Sequence, residues 1–357
     1  MRLALLLASL IAAGSAHATD ATQNADRLMQ KYQGEVPGAA LLVLKDGKPL
    51  LRKGYGLANL EEHAAVTPAT DFRLASVSKQ FTAAAILLLA EDGKLGLDDS
   101  IRHWLPSLPP STDKVTLRQL LSHTGGLIDY EDLIPPGQTA QLDDQDVLRM
   151  LSATPRSYFA PGTAYRYSNS GYVLLGLVVE KASGATLQDF LERRIFKPLH
   201  MDHTLLYVHD DPTPDGSSVP NRAYGYSKTG GRWLRTDQDL TSATRGDGGI
   251  YSSIDDLAKW DAALYDDRLL SDASRKAAFS PHAKVTGEPY EASYGYGWRI
   301  TGDTLWHSGE SIGFRNVIVR WPKQHLTVIL LSNRNEPEPY RTVLKIAEPF
   351  LHPAPQS

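Results

Sequence analysis

The 357-residue chain has no cysteine. That excludes a disulfide framework, a thiol nucleophile, a thiolate metal site and a lipid-bearing cysteine. Positive charge is not in excess either: 37 Lys and Arg stand against 41 Asp and Glu, a formal net charge of −4. Such a balance offers little to nucleic acid or to an anionic membrane. No apolar run after residue 18 approaches the ~20 residues that cross a bilayer. Internal repeats and low-complexity segments are also missing. With 42% hydrophobic and 22% charged residues, this is an ordinary folded chain whose function must be read from particular side chains.

Residues 1–18, "MRLALLLASLIAAGSAHA", read as a secretory signal, with Arg2, an apolar stretch from Leu3 to Ala13, and an A-x-A site at Ala16-His17-Ala18. Its removal takes one arginine and no acid, leaving a net charge of −5. The expected location is periplasmic or secreted, with no integral membrane segment after cleavage. An amphipathic helix is expected over 20–34, and "GAALLVLKDGKPLLRKGYGLAN" (38–59) reads as two strands around Asp46-Gly47. Helices and loops fill about 100–245. Then "YGYGWRI", "DTLWHSG", "FRNVIVRWP" and "LTVILLSN" read as an antiparallel meander, followed by a helix over about 338–351. The expected fold class is α/β (α+β): an antiparallel sheet flanked by helices, joined from both ends of the chain, plus an inserted mainly helical subdomain. As a single domain over 19–357, its sheet part takes about 19–75 and 285–352, and its helical part about 76–284. The Pro- and Asp-rich stretch 208–221 reads as an ordered surface loop within it.

The most informative stretch is "FRLASVSKQFTAAAILLLAEDGKLGLDD" (72–99). Its apolar helix starts with polar groups, and Ser76 and Lys79 fall on one face at i and i+3. A serine is a poor nucleophile until a base takes its proton, and a desolvated lysine can be that base. The competing reading is that Ser76 or Ser78 caps the helix. S-x-x-K alone decides nothing, since Ser111-Thr112-Asp113-Lys114 matches it in a loop. A second element, Tyr167-Ser168-Asn169, precedes another apolar helix. A phenol near an ammonium can shuttle protons, and Asn169 can hold both the lysine and a substrate carbonyl. A third element has three candidates: Lys228-Thr229-Gly230 at a hairpin tip, His123-Thr124-Gly125 at a helix end, and His307-Ser308-Gly309 on a strand. Only a strand edge lays a substrate alongside itself and aims a backbone N–H at an oxyanion. That selects His307.

In this order the elements resemble the serine β-lactamase and penicillin-binding protein superfamily. Within it the chain is similar to the branch holding class C β-lactamases, D-Ala-D-Ala carboxypeptidases, D-aminopeptidases and related esterases. "LLSHTGGL", "PGTAYRYSNSGY", "GDGGIYSSIDDLAKW" and "WHSGESIGF" add to the likeness, which covers about residues 25–350. The resemblance implies a serine hydrolase that acts through an acyl-enzyme, without cofactor or metal, on a small-molecule or peptide substrate. That substrate is an ester, an amide or a D-amino-acid peptide, with D-Ala-D-Ala carboxypeptidase or class C-like β-lactamase activity as alternatives. Ser76 is the implied nucleophile, Lys79 its base partner and Tyr167 the proton shuttle. Asn169 and the His307-Ser308-Gly309 strand would position substrate, and the backbone N–H groups of Ser76 and Glu310 would form the oxyanion hole. Class C lactamases carry Lys in the third motif, whereas His307 stands here, as in non-lactamase members. A histidine of ordinary pKa, ~6.5, loses most of its charge by pH 8. Glu310 adds a negative charge beside it. Uncharged esters or amides are therefore the expected substrates, with carboxylate-bearing ones handled worse as pH rises.

Three other readings compete. Gly309-Glu310-Ser311-Ile312-Gly313 has the G-x-S-x-G form of a nucleophile elbow, but the following "FRNVIVRWP" reads as strand where an elbow needs a helix. His200 and His203 have ligand-like spacing without the Glu of an H-E-x-x-H site. A module that captures penicillin or peptidoglycan without turnover is the third, and it conflicts with intact motif residues. Trp260, Trp306 and Trp321 read as core.

Overall fold

The computed structural model describes residues 20–208, 219–288 and 290–352. The expected signal at 1–18 and most of the stretch 208–221 lie outside the described residues. Among the described residues, no helix is long and apolar enough to cross a membrane.

The chain opens with helix α1 (20–28) and then the hairpin β1 (Ala39–Lys45) and β2 (Lys48–Tyr55). Asp46 and Gly47 both take positive φ, 51° and 71°, as the two-residue turn between right-twisted strands requires. The other strands come from the far end of the chain: β3 (Ala283–Lys284), β4 (Ser293–Tyr294), β5 (Arg299–Thr301), β6 (Thr304–Ser311), β7 (Phe314–Trp321) and β8 (Leu326–Ser332). They join the hairpin in one antiparallel sheet of order β3-β4-β5-β6-β7-β8-β1-β2. β1 and β8 pair in register from Ala39 opposite Ser332 to Lys45 opposite Leu326.

β1 is buried on both faces, and its side chains alternate between two cores. Ala39, Leu41 and Val43 meet Val343, Ile346 and Ala347 of helix α5 (Tyr340–Leu351) together with Ala25 of α1. Ala40, Leu42 and Leu44 meet the larger core of the central helices. A slip of one residue would exchange the two faces, so the apolar pattern fixes the register.

The central helices are apolar all round, the signature of full burial. In α2 (Lys79–Glu91) every residue from Lys79 to Leu89 is buried. In α3 (Asn169–Ser183) every residue from Ser170 to Val179 is. Gly184 ends α3 in the left-handed conformation, the expected C-terminal stop. Helix α4 (Ile254–Ala263) lies on β1 and β8. It is tied to the sheet by a buried pair, Arg320 Nε to Asp261 Oδ1 at 2.5 Å, with Thr327 donating to the same oxygen. α2 and α3 pack against each other. Lys79 is the first residue of one and Asn169 the first of the other, so two motifs 90 residues apart begin side by side.

Candidate active site

Ser76 does not sit in the α-helix itself. It lies in a 3-10 turn, Ala75–Ser78, that leads into α2. Ala75 holds φ at +49°, a left-handed conformation that costs a non-glycine residue about 1–2 kcal/mol. Such strain is kept where the surroundings enforce it. Neither serine caps the helix: Ser78 is fully buried and accepts from Ile250 N–H at 3.2 Å, while Ser76 Oγ faces Lys79.

Lys79 Nζ donates to Ser76 Oγ at 3.0 Å, to Asn169 Oδ1 at 2.7 Å and to the Asp247 carbonyl oxygen at 2.9 Å. Its side chain is buried. Asn169 Oδ1 and the Asp247 carbonyl only accept, so they take two N–H bonds of Lys79, while the Ser76 hydroxyl can either accept a third or donate to the Nζ lone pair. Tyr167 places its ring centroid 5.0 Å from Nζ. Among the described residues, no hydrogen bond joins the Tyr167 hydroxyl to Ser76 or Lys79.

The same wall contains groups that the sequence motifs did not reveal. Asp129 Oδ2 accepts from Asn169 N–H at 2.6 Å, an acid placed at the positive end of α3. Glu131 Oε1 accepts from Asn169 Nδ2 at 2.7 Å. Burial first, and then the charge of Asp129, raises the Glu131 carboxyl above the ordinary range. The buried Asp247 carboxyl is also raised by desolvation, with Lys79 opposing. The one sequence hint was the "GDGG" phrase, whose Asp247 carbonyl holds Lys79.

The facing wall is the end of β6. Gly309 approaches the nucleophile turn so closely that a Cβ there would lie 2.0 Å from Leu74 O and 3.3 Å from Ser76 N. Only glycine fits that contact. Glu310 is exposed and pairs with Arg315 at 2.5 Å. Between the walls is a crevice of about 430 Å³ that Ser76, Asn169 and Glu310 line together with Arg73, Glu131 and Asp247.

His307 is the main correction. It was expected to line this crevice, yet it is 1% exposed and absent from the crevice lining. Its Nε2 is 2.8 Å from the Tyr294 hydroxyl, and its Nδ1 is 2.6 Å from the Ser308 carbonyl oxygen. A carbonyl only accepts, so Nδ1 carries the hydrogen and Nε2 accepts from Tyr294. Burial, and then the charges of Arg299 and Lys79, push its pKa well below the usual histidine value. A neutral ring with both nitrogens engaged cannot hold a substrate carboxylate by charge. Ser308, also expected at the site, lies outside the lining and serves here as the His307 acceptor.

The other candidates fall elsewhere. Lys228 turns outward to Glu336 at 3.7 Å, and Ser111 sits in a surface 3-10 turn. Ser311 lines the crevice, but the strand β7 follows it, not a helix, so an elbow is excluded. His203 lies in a turn, its N–H donating to Asp256 at 2.7 Å.

Residues 21–348 match the family model described as Beta-lactamase. A penicillin-binding protein of Bacillus subtilis (strain 168) is 36% identical over 335 residues, covering 88% of this chain and 72% of the relative. The chain belongs to the beta-lactamase family. Protein flp of Staphylococcus aureus (strain N315), 28% identical, is similar over 88% of this chain and 64% of its own length. Among solved structures, the octameric penicillin-binding protein homologue from Pyrococcus abyssi is similar with a TM-score of 0.81 and 26% identity, over 93% of this chain and 77% of that one. The D-amino acid amidase from Ochrobactrum anthropi SV3 shares the fold at a TM-score of 0.78 and 24% identity, over 93% and 99%. Membership places the chain among the hydrolases of the serine β-lactamase and penicillin-binding protein superfamily.

Proposed function

We propose that the protein is an exported serine hydrolase that forms an acyl-enzyme on Ser76 and acts on an ester, an amide or a D-amino-acid peptide. The observation that carries this reading is the buried Lys79 Nζ, 3.0 Å from Ser76 Oγ and held by Asn169 and Asp247. No packing need explains a buried lysine with its nitrogen aimed at a serine on a crevice wall. Ser76 Oγ attacks the carbonyl carbon as its proton passes to the Nζ lone pair of Lys79, acting as the free amine, which in turn supplies the proton that Tyr167 relays. The oxyanion takes N–H donors from Ser76 and Glu310. Tyr167 returns the proton to the leaving group as the scissile bond breaks, and water repeats the sequence on the acyl-enzyme.

The charge of the crevice supports neutral or amine-bearing substrates over carboxylates. Glu131, Asp239, Asp247 and Glu310 line it, against Arg73 and Arg315, and Arg315 is engaged by Glu310. With His307 uncharged, a carboxylate beside the scissile bond has no free cation waiting at the third motif.

The test is a panel of nitrophenyl esters, D-aminoacyl amides, a D-Ala-D-Ala peptide and a chromogenic cephalosporin, run beside Ser76→Ala. The expected result is turnover of esters or amides, loss of at least ~10³-fold in Ser76→Ala, and covalent labelling of Ser76 by a fluorescent phosphonate. Full activity in Ser76→Ala would overturn the reading. One product per enzyme with no steady turnover would mark a binding module.

A further inference from the structure

Tyr167 lies in 164–168, a stretch without regular secondary structure just before α3. Its own segment does not fix the phenol, and Lys79 and Arg299 only approach its ring, at 5.0 and 5.6 Å, although a proton relay needs placement to within a fraction of an ångström. His123 supplies that fixing from another part of the chain. Its carbonyl oxygen accepts from Arg166 N–H at 3.1 Å, and its Nδ1 accepts from Ser168 N–H at 3.2 Å. The backbone is therefore held on both sides of Tyr167 by one residue. The His123 ring also packs against the Tyr167 ring, with centroids 4.3 Å apart and planes 36° apart.

His123 is itself anchored. It is 3% exposed, with Tyr294 at 4.5 Å and Tyr172 at 5.2 Å on other sides of its ring. It holds φ at +58°, unusual for a residue with a Cβ. The ring must be neutral to accept at Nδ1, and burial, followed by the charges of Lys79, His307 and Arg299, pushes its pKa well below the usual value.

We infer that His123 is a positioning residue for the proposed reaction, a clamp that sets the Tyr167 hydroxyl for proton transfer to the leaving group. The inference rests on the reading of Tyr167 as proton donor, and it assigns a role in catalysis to the histidine of "SHTGG", 44 residues upstream of Tyr167 in sequence.

A mispositioned donor harms substrates whose leaving groups need a proton, and spares those that leave as stable anions. Amides and alkyl esters belong to the first class, and nitrophenyl esters to the second. His123→Phe keeps the ring and removes the acceptor. His123→Asn keeps an acceptor near the Nδ1 place and tolerates the left-handed backbone, but loses the ring. Both should lower kcat on an amide or alkyl ester by about 10–100-fold, given what an ångström of misplacement costs. KM should change little, and nitrophenyl ester turnover should fall less than ~3-fold if only the relay is disturbed. Combining either change with Tyr167→Phe should cost no more than Tyr167→Phe alone, since both act through one hydroxyl.

If Tyr167→Phe itself slows both substrate classes equally, the reading of Tyr167 as donor fails. If Tyr167→Phe shows the leaving-group effect and both folded His123 variants do not, the clamp is refuted while the catalytic reading stands. Equal losses on both substrate classes in the His123 variants would mark the residue as structural only.

Discussion

The two walls of the crevice are built on opposite terms. On the helix wall, Ser76, Lys79, Asn169, Glu131 and Asp129 form a continuous chain of hydrogen bonds among themselves. On the sheet wall, Glu310 and Arg315 satisfy each other at the surface, and Ser311 Oγ is buried without a partner. The facing Arg73 likewise keeps Nε and Nη1 unpaired while Nη2 binds the Ser242 carbonyl at 2.8 Å. The catalytic groups of the helix wall are bonded to one another, although Asp247 Oδ1 beside them has no partner among the described residues, while the sheet wall meets the crevice with an exposed ion pair. Preorganised groups lower barriers because nothing has to reorganise at the moment of reaction, whereas an exposed ion pair can exchange a partner for a ligand at little cost. Chemistry therefore belongs to the helix wall and selection to the strand edge.

The sharpest way to break this contrast is to damage the hydrogen-bonded helix wall. Lys79→Ala strips a donor from Ser76, Asn169 and the Asp247 carbonyl at once. Acylation should slow by on the order of 10²–10⁴, measured as the rate of phosphonate or nitrophenyl ester labelling. Tm should fall as well, because two buried acceptors lose their partner. A variant with normal acylation would show that the network is only structural.

Partnered and orphaned groups also contrast beneath the site, where the strand leading to Ser76 begins. The Asp247 carboxyl lies close enough to Lys79 for that charge to oppose its desolvation. Asp71, 1% exposed, has neither oxygen bonded. Burial, with the Asp256 charge adding to it, pushes Asp71 up to about 8. The folded state then keeps a proton that the unfolded chain releases near pH ~4, so Asp71 subtracts stability as pH rises from there to about 8. Asp71→Asn should leave stability unchanged near pH 4 and raise it at pH 8, by on the order of 5 kcal/mol at most. Equal Tm differences at the two pH values would contradict the unpaired acid.

How legible the site was in sequence follows the same division. Ser76, Lys79, Tyr167 and Asn169 were named from local spacing because each motif abuts the start of an apolar helix, and helices give a strong periodic signal. The meander was legible from Gly, Pro and Asn punctuation, and the joining of both ends of the chain in one sheet from the strand runs at each end, but not which strands pair. Asp129, Glu131 and the His123 clamp were not, because loop residues carry no period and their contacts span 38 to 45 positions. His307 was named for its strand, but its exposure was misjudged. Alternation along β6 says which face a side chain takes, and cannot say that Tyr294 covers it.

On the sheet wall the effects should be smaller. Glu310 is exposed, so solvent and salt weaken what it does. Glu310→Gln frees Arg315 for an incoming anion. KM for a carboxylate-bearing ester should drop by about 2–5-fold, while kcat and the KM of a neutral ester stay level. A loss of kcat on neutral substrates would move Glu310 into the chemistry, beyond its backbone N–H.

The smallest expected effect is none at all, and it concerns His307. A charged histidine at the third motif would make carboxylate binding weaken from pH 6 to 8. The buried ring is instead held neutral, between the Tyr294 hydroxyl at Nε2 and the Ser308 carbonyl at Nδ1. Its lowered pKa means that below about 6.5 the unfolded chain takes up a proton that the folded site refuses. Its titration therefore appears as acid destabilisation and not as a change in binding between pH 6 and 8. Imidazole NMR of labelled histidine should show one His307 tautomer, protonated at Nδ1, with no inflection over that range. KM for a carboxylate substrate should show no His307-dependent step either, so His307→Gln should leave the shape of its pH profile unchanged. An inflection near pH 6.5 in the His307 resonances would return the charge to the third motif, and with it the preference for anionic substrates that the neutral ring denies.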